Sequence, residues 1–491
     1  MKFSARQTSL RLRRKARGQA LIWLMGTMVA SAAILYGVFN TAQMTVGKQR
    51  TVNAADAGAL AGATVQARVL NLAAYNNRSI MANEAFLIQM LSIESWLQYF
   101  STTANNFGTV ADIIGIFIPP VEAIGKILDE LADVADEIHD VLADDVTDLL
   151  VIPAIEVAKK SFSAFHTVVI KAGGLLAEDA ATKIVEANRT EFGTHTDIGV
   201  EVDKRAAVRA ATFVLNEKDW INFTTQYTDD QRGQAKQVLL DSRDRFSTNR
   251  PGQWYLNINA GFAGTEKRGG SQLKGFDRWE TQDTLELWEK VPCKSGLCKE
   301  YQPIGWGRSN ADKDGSSGDV WSPTDRYANK LAYSEATSHG GNSPEIRNWS
   351  GVPSVYDLKD QKKENRATLG VDFIIAARKS RAAVLSTQQI GMSVENVSPM
   401  GSGEMNERLE ADQYTSLAKA RVFFERPQRN SLDKTASSLW RPDSAKEYGS
   451  LYSPYWQARL ADLSKEEKIG LFAAMGMLPD KAFYTPGGQS K

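Results

Sequence analysis

Alternating oxygen donors in the second half of the chain are the residues whose types and spacing most suggest chemistry. In SNADKDGSSGD, Asn310, Asp312 and Asp314 alternate and are followed by Gly315. This spacing is typical of the first half of a calcium loop, where the oxygens converge and a glycine permits the sharp turn. The twelfth position, which should supply a bidentate glutamate, is Trp321. We therefore interpret the segment as an ordinary polar turn, keep its three oxygen donors as a weak calcium candidate, and predict no metal and no cofactor.

The two cysteines, Cys293 and Cys298, lie five residues apart in VPCKSGLCKEY. Outside the cytoplasm, a disulfide across a tight loop is the natural interpretation. A zinc site is the alternative, but it would need two more ligands and no histidine lies nearby in the sequence. We predict a disulfide.

Sequence motifs for catalysis are mostly missing. The chain contains no G-x-S-x-G nucleophile elbow, no G-x-x-x-x-G-K-[ST] phosphate loop and no H-E-x-x-H zinc motif. Its four histidines are scattered, so catalysis by Ser/His or Cys/His pairs lacks obvious partners. We expect no enzyme; carboxylate pairs are plentiful, however, and an extracytoplasmic enzyme stays a third, unsupported hypothesis.

The elements that position these residues begin with a membrane anchor. Residues 1–18 are basic and contain no acid, and the apolar run 21–39 (LIWLMGTMVASAAILYGVF) follows within a predicted spanning helix at 19–43. A spanning helix needs about 20 apolar residues, and the positive-inside rule keeps the basic end in the cytoplasm. A cleaved signal peptide, ending at Ala30-Ser31-Ala32, is the rival interpretation.

Lys+Arg and Asp+Glu balance at 58 each, so no global basic field indicates nucleic acid binding.

Small residues recur at helical spacing in and after the apolar run. Such a face lets a second helix approach closely, which predicts helix–helix contacts and a homo- or hetero-oligomer; small-residue filler is the alternative. The predicted packing residues are Gly26, Ala30, Ala33, Gly37, Ala54, Ala57, Gly58, Ala61 and Gly62.

A helical region is predicted for residues 44–195. Its first part is rich in good helix formers, and a loop is expected at Asn105–Gly108. An amphipathic helix follows over 124–141, with apolar residues alternately three and four apart. Pro153 then interrupts, before a second helix to about Phe192.

Residues 196–491 predict an α+β domain with a mainly antiparallel sheet. The runs flanking the cysteines predict paired strands, residues 305–350 are loop-like, and residues 366–396 again predict strands. Helices are expected around Asp412–Phe424 and Lys465–Met477. The many tryptophans indicate either a carbohydrate or partner surface or, more often, core packing.

The segment from Arg13 to Ala63 resembles the start of TadE/TadG-type proteins of the tight-adherence (Flp) pilus system. It carries basic residues, Arg-Gly-Gln-Ala, an apolar helix, and then Asn-Ala-Ala-Asp-Ala with Ala-Leu-Ala. The resemblance at the N-terminus extends to about residue 65. Shorter segments resembling TadG-related proteins are NLAAYNNRSIMANE (71–84), PIGWG (303–307), FFERP (423–427) and LYSPYWQARL (451–460).

The resemblance implies a pilin-like or assembly subunit. It would be anchored in the bacterial inner membrane, with its body in the periplasm or carried into surface pili, and its partners would be other pilus subunits. Two features depart from the family. The Asp-x-Ser-x-Ser metal motif of many TadG proteins is missing, and the acidic residue expected after a prepilin cleavage site is Trp23. Cleavage between Gly18 and Gln19 is kept as a candidate processing step.

These observations leave two main hypotheses. The first is a structural or assembly component of a Tad/Flp-type (type IVb-like) pilus that acts through helix packing and subunit contacts. The second is a membrane-tethered binding or adhesion protein without a pilus role, which would use the aromatic, glycine-rich region.

Overall fold

A computed structural model describes residues 5–115, 132–141, 150–188, 191–192, 195–196, 200–250, 259–313, 328–338, 345–346, 349–360, 362, 365, 368–380, 413–426 and 448–474. At both ends of the first helix and in the shortest strands it describes the backbone alone. The helices are α1 (Ala5–Gly115), α2 (Ile152–Ala187), α3 (Ala206–Phe223), α4 (Gly233–Asp241), α5 (Arg245–Thr248), α6 (Lys330–Ser338) and α7 (Lys465–Ala474). The strands are β1 (Glu191–Phe192), β2 (His195–Thr196), β3 (Glu201–Val202), β4 (Thr224–Tyr227), β5 (Ala263–Lys274), β6 (Arg278–Cys293), β7 (Gly296–Asp312), β8 (Glu345–Ile346), β9 (Val355–Leu358), β10 (Gly370–Ser380), β11 (Gln413–Phe424) and β12 (Trp456–Ala461).

Helix α1 is one uninterrupted element of 111 residues, about 165 Å long at 1.5 Å per residue. The predicted loop at Asn105–Gly108 is wrong, because the helix continues to Gly115. Packing explains the difference: Asn106 donates to the Ile304 carbonyl at 3.0 Å, so a residue that favours turns is fixed in the helix by a strand.

Helix α2 runs antiparallel to α1. Lys159 near its start contacts Glu84, whereas Val185 near its end lies against Gly58. Pro153 falls in the first turn of α2, directly after residues 150–151, which are π-helical, so the predicted interruption coincides with the start of the regular α-helix, which ends at Ala187. The helix predicted at 124–141 is present at 132–140, and its first part lies outside the described residues.

Two four-stranded sheets pack against α1. Sheet I has the order β12-β11-β10-β3 and is fully antiparallel. Sheet II has the order β5-β6-β7-β8, in which only the two-residue β8 is parallel to its neighbour. The predicted α+β class with mainly antiparallel sheets is therefore confirmed, as are the paired strands flanking the cysteines.

Two hydrophobic clusters join α1 to these sheets. The first packs the alanine-rich stretch Ala54–Ala73 of α1 against α2 and sheet I, around Phe373 and Trp456. The second packs the Ile80–Leu91 stretch against the start of α2, helix α4 and sheet II, around Trp279. Each cluster mixes residues of the predicted helical and α+β regions, so α1 is a central spine for both sheets.

Two local predictions are wrong because strand pairing overrides intrinsic preference. The predicted helix Asp412–Phe424 is strand β11, which is held on both sides by β10 and β12 and buries Ala418, Ala420 and Val422 alternately. Within the loop-like range 305–350, residues 305–312 belong to β7 and residues 330–338 form α6. The predicted C-terminal helix is present as α7, and residues 475–477 of that prediction lie outside the described part.

Candidate functional site

The N-terminal stem, residues 20–38 of α1, exposes almost every apolar side chain. Trp23 is 76% exposed and Met28 74%, and the most apolar 18-residue window has a mean hydropathy of 1.9 with none of it buried. One helix near the N-terminus is therefore long and apolar enough to cross a membrane. The eight Leu, Ile, Val and Phe residues between positions 21 and 39 together favour insertion by about 2–5 kcal/mol.

Two threonine hydroxyls in and just after the stem are satisfied within the helix, which suits a lipid environment. The Thr27 hydroxyl donates to the Leu24 carbonyl at 2.9 Å, and Thr41 donates to the Gly37 carbonyl at the same distance. Gly26 and Gly37 have open space where a side chain would be, and Ala30 and Ala33 are exposed. Nothing among the described residues covers this predicted packing face. Gly18 and Gln19 lie within α1, in the part where only the backbone is described.

The second group of predicted packing residues is covered by the chain itself. A side chain on Gly58 would meet Val185 of α2, and one on Gly62 would meet the Phe373 ring of β10. Ala54 is fully buried in the same cluster, and Ala57 and Ala61 are half-buried. The small residues here bring α2 and sheet I close to α1, so this face is occupied before any partner subunit arrives.

Polar side chains of α1 pair with backbone groups of distant strands and loops. Asn71 donates to the Trp456 carbonyl at 3.0 Å and accepts from the Trp456 N–H at 2.9 Å. Asn77 donates to the carbonyls of Tyr356 and Leu451, both at 2.8 Å. These bonds satisfy backbone groups that the core would otherwise leave without water.

Strand β7 lies against α1 through two glycines. Any side chain on Gly307 would collide with the Ser95 carbonyl, and one on Gly305 would collide with Thr103. Between them, Thr102 accepts from the Trp306 N–H at 2.9 Å and donates to its carbonyl. Backbone approaches backbone here, which explains why glycines flank Trp306.

The short segments that carry the resemblance beyond the N-terminus meet along α1. Segment 71–84 supplies Asn71 and Asn77, and segment 451–460 receives their hydrogen bonds. Segment 303–307 contacts α1 further along the helix, at Thr102 and Asn106. The described part of segment 423–427 reaches the same place through Phe424, whose ring packs edge-on against Trp456 at 5.4 Å. Their shared role in this structure is to attach both sheets to the spine.

An ionic cluster is buried where α1 meets sheet II. Asp283 binds Arg250 at 2.8 Å and also Lys267, and it accepts from the Ser95 hydroxyl at 2.9 Å. Burial would raise the pKa of Asp283, but Arg250 and Lys267 hold it below its usual range. Burial lowers the pKa of Lys267 to about 8. A lysine of low pKa near a serine can activate a nucleophile elsewhere, but the side chains of Asp283 and Lys267 are fully inaccessible, so this cluster fits a structural role.

A second buried cluster joins α1 to α2. Lys159 binds Glu84 at 3.0 Å and Glu156 at 2.7 Å, and the Trp349 indole donates to Glu84 at 3.0 Å. Burial raises the pKa of Glu84 despite the opposing effect of Lys159. Neither ionic cluster was predicted from sequence, because the partners of Glu84 and Asp283 are far away along the chain.

A buried histidine lies between α1 and α2. The His166 ring is 2% exposed, stacks on Tyr356 with ring centroids 4.7 Å apart, and places Nδ1 3.3 Å from the Asn76 amide nitrogen. Burial lowers the pKa of His166 to about 4. The ring is therefore neutral at physiological pH, which is the form that such a site favours.

Two of the three weak calcium candidates, Asn310 and Asp312, lie in a strand and not in the predicted polar turn. Asn310 and Asp312 lie in strand β7, where the Asn310 amide donates to Asp312 at 2.9 Å and Arg278 lies 3.3 Å from the same carboxylate. Asp314 lies outside the described residues. Within the described part of the chain, no group of three or more His, Cys, Asp or Glu residues is arranged to hold a metal ion.

The predicted disulfide between Cys293 and Cys298 is present, with Cα atoms 5.8 Å apart. It closes the β6–β7 hairpin next to its turn. Two of the tryptophans, Trp279 and Trp456, are buried in the two hydrophobic clusters, as expected for core packing. Searches against protein-family models, curated proteins and solved structures find no match for this chain.

Proposed function

We propose that the chain is a membrane-anchored, pilin-like or assembly component of a Tad/Flp-type pilus. The observation that carries this proposal is the continuity of α1. One helix supplies both an exposed apolar stem and the spine of a folded body. A pilin-like subunit needs this combination, because its anchor must be rigidly joined to the part that contacts other subunits.

The mechanism is mechanical and not chemical. The stem spans the bacterial inner membrane with its basic end in the cytoplasm, which leaves the body in the periplasm. The open face of Gly26, Ala30, Ala33 and Gly37 then contacts helices of other subunits, either in the membrane or in a filament. The second small-residue face, from Ala54 to Gly62, supports the body internally instead.

The test measures the intact mass of the native protein in two fractions, sheared surface filaments and inner membrane. A deletion strain is examined in parallel for the presence of filaments. A species beginning at Gln19 in the filaments indicates a processed pilin. A full-length species confined to the membrane, with filaments lost on deletion, indicates an assembly factor. Normal filaments after deletion would contradict the proposal, and would favour a tethered binding protein if the body binds a ligand. A soluble form beginning near Ala33 would contradict the anchor itself.

A further inference from the structure

The β6–β7 hairpin extends beyond its sheet as a two-stranded arm, defined here as residues 288–301. Strand β5 begins at Ala263, opposite Glu289, and the Lys290 N–H donates to the Phe262 carbonyl at 2.7 Å, so beyond Lys290 the two described strands have only each other as neighbours. Strand β7 follows α1 from Ser309, near Glu94, to Ile304, near Asn106. The ladder is irregular at Ile304, and the remaining residues of β7 extend for about 25 Å from there to the arm tip.

The two faces of the arm carry opposite charges. Lys290 pairs directly with Lys299, and Glu289 pairs directly with Glu300. Directly paired residues share a face and successive residues alternate, so one face carries two lysines and the other two glutamates. All four are exposed, and no described side chain of opposite charge lies within ion-pair distance of them. Lys299 instead lies 4.0 Å from the centroid of the Trp288 ring on its own face.

Each like-charge pair is unfavourable in an isolated arm, because like charges placed directly opposite one another repel. Apolar pairs adjoin both charged pairs. On the lysine face, Pro292 is paired with Leu297, whose side chain is 69% exposed; on the glutamate face, Val291 is paired with Cys298. The two faces thus show the same order of a charged pair followed by an apolar pair nearer the tip.

We propose that the arm is a self-association surface, on which the lysine face of one copy stacks on the glutamate face of the next. Face-to-face stacking of two-stranded ribbons, about 10 Å apart, would set each lysine pair against a glutamate pair. It would also cover Leu297 with Val291 of the neighbouring copy. The disulfide holds the arm in this form before contact, which limits the entropy lost on association. Because the two faces differ, the contact is head-to-tail and open-ended.

A second copy fits the arm better than an anionic ligand or membrane does. An anionic partner would relieve the lysine pair and leave the glutamate pair unrelieved, whereas a second copy relieves both. The arm alone is too small for a stable interface, which buries at least about 1,200 Å². The inference therefore rests on the proposed membrane anchor, because tethering to one membrane raises the effective concentration of the arms and so compensates for their small contact area.

The test uses the full-length protein in lipid vesicles, with a photo-crosslinking amino acid in place of Leu297. Wild-type arms are expected to crosslink to residues 287–302 of a second copy. Lys290→Glu with Lys299→Glu makes both faces negative, and Glu289→Lys with Glu300→Lys makes both positive. Each double variant alone should lose crosslinking about tenfold or more, because like-charge contacts at an interface are strongly disfavoured. An equal mixture of the two should restore it.

Lys294→Glu is the matched control, because Lys294 lies in the turn between the strands and belongs to neither pair. It should crosslink like the wild type. Three outcomes would each overturn the inference. They are unchanged crosslinking in both double variants, no recovery of crosslinking in their mixture, and crosslinking to lipid in place of a second copy. Resistance of each protein to carbonate extraction reports separately on the anchor, so wild-type protein that never enters the vesicles contradicts the proposed function instead.

Discussion

Burial of His166 makes the stability of the body depend on pH. Burial lowers its folded-state pKa to about 4 from the ordinary 6.5. The unfolded chain therefore takes up a proton on this residue at a higher pH than the folded protein does. A group with a depressed pKa supplies stability that is complete above 6.5 and is lost as the pH falls towards 4. For these two pKa values, the free energy of unfolding falls by about 2 kcal/mol between pH 7.5 and 5.

The assay is urea unfolding of the detergent-solubilised full-length protein, followed by tryptophan fluorescence at pH 7.5, 6 and 5. His166→Gln removes the titration and places an amide near Asn76 in place of the ring nitrogen, so its pH dependence should be smaller than that of the wild type by about 2 kcal/mol. His139→Gln is the control, because it removes another buried histidine and leaves His166 in place. Equal losses of stability in wild-type and His166→Gln protein over this range would refute the reasoning.

Three further predictions concern the contacts that fix the two sheets and α2 on the spine. Lys159→Met leaves Glu84 buried without its cation and should lower the free energy of unfolding by about 3–5 kcal/mol, measured by urea unfolding at pH 7.5. Gly307→Val inserts a side chain where strand and helix backbones touch and should cost at least about 2 kcal/mol, seen as a lower thermal midpoint. Replacing Cys293 and Cys298 by serine should leave the thermal midpoint of the body nearly unchanged while limited proteolysis cuts the arm faster, because the bridge spans only five residues.

Each of the three has its own control. Adding Glu84→Gln to Lys159→Met removes the unpaired charge and should recover part of the loss; no recovery would contradict the role given to the ion pair. Gly233→Ala places a methyl group in open space and should be neutral or stabilising. A Gly307→Val protein as stable as Gly233→Ala would contradict the close approach of β7 to α1. Proteolysis of the arm at an unchanged rate after loss of the disulfide would show that the strands alone hold it.

Sequence patterns correctly predicted the elements that pack against neighbours close in the sequence, or that need no packing partner at all. The stem follows from a run of apolar residues that needs no partner, and the cysteine hairpin from two strands joined by a tight turn. Strand β11 was predicted as a helix, because Leu417, Ala418 and Lys419 favour helices and the pairing with β10 and β12 is not visible locally.

The attachment of the body to α1 could not be predicted from the sequence either, because it depends on contacts between residues far apart along the chain. Asn71 and Asn77 have no detectable partner until Trp456 and Leu451 are placed beside them, 385 and 374 residues away along the chain. The alternating oxygens at Asn310 and Asp312 were interpreted as a polar turn with weak calcium character, but a strand also alternates with period two. Pairing of Asp312 with Arg278 across the ladder decided the outcome.

The position of α1 has a consequence for biosynthesis. Helix α1 is the first part of the body to be synthesised, but the strands that pair with its polar side chains come from the second half of the chain. Ser95 and Asn71 therefore have no partner until Asp283 and Trp456 have been synthesised. Contacts of such large sequence separation form slowly, because a long loop must close first. With the proposed topology, the helix carries an unfinished surface of amides, hydroxyls and small apolar residues during translocation. We expect such a surface to attract a folding chaperone until the second half of the chain has arrived.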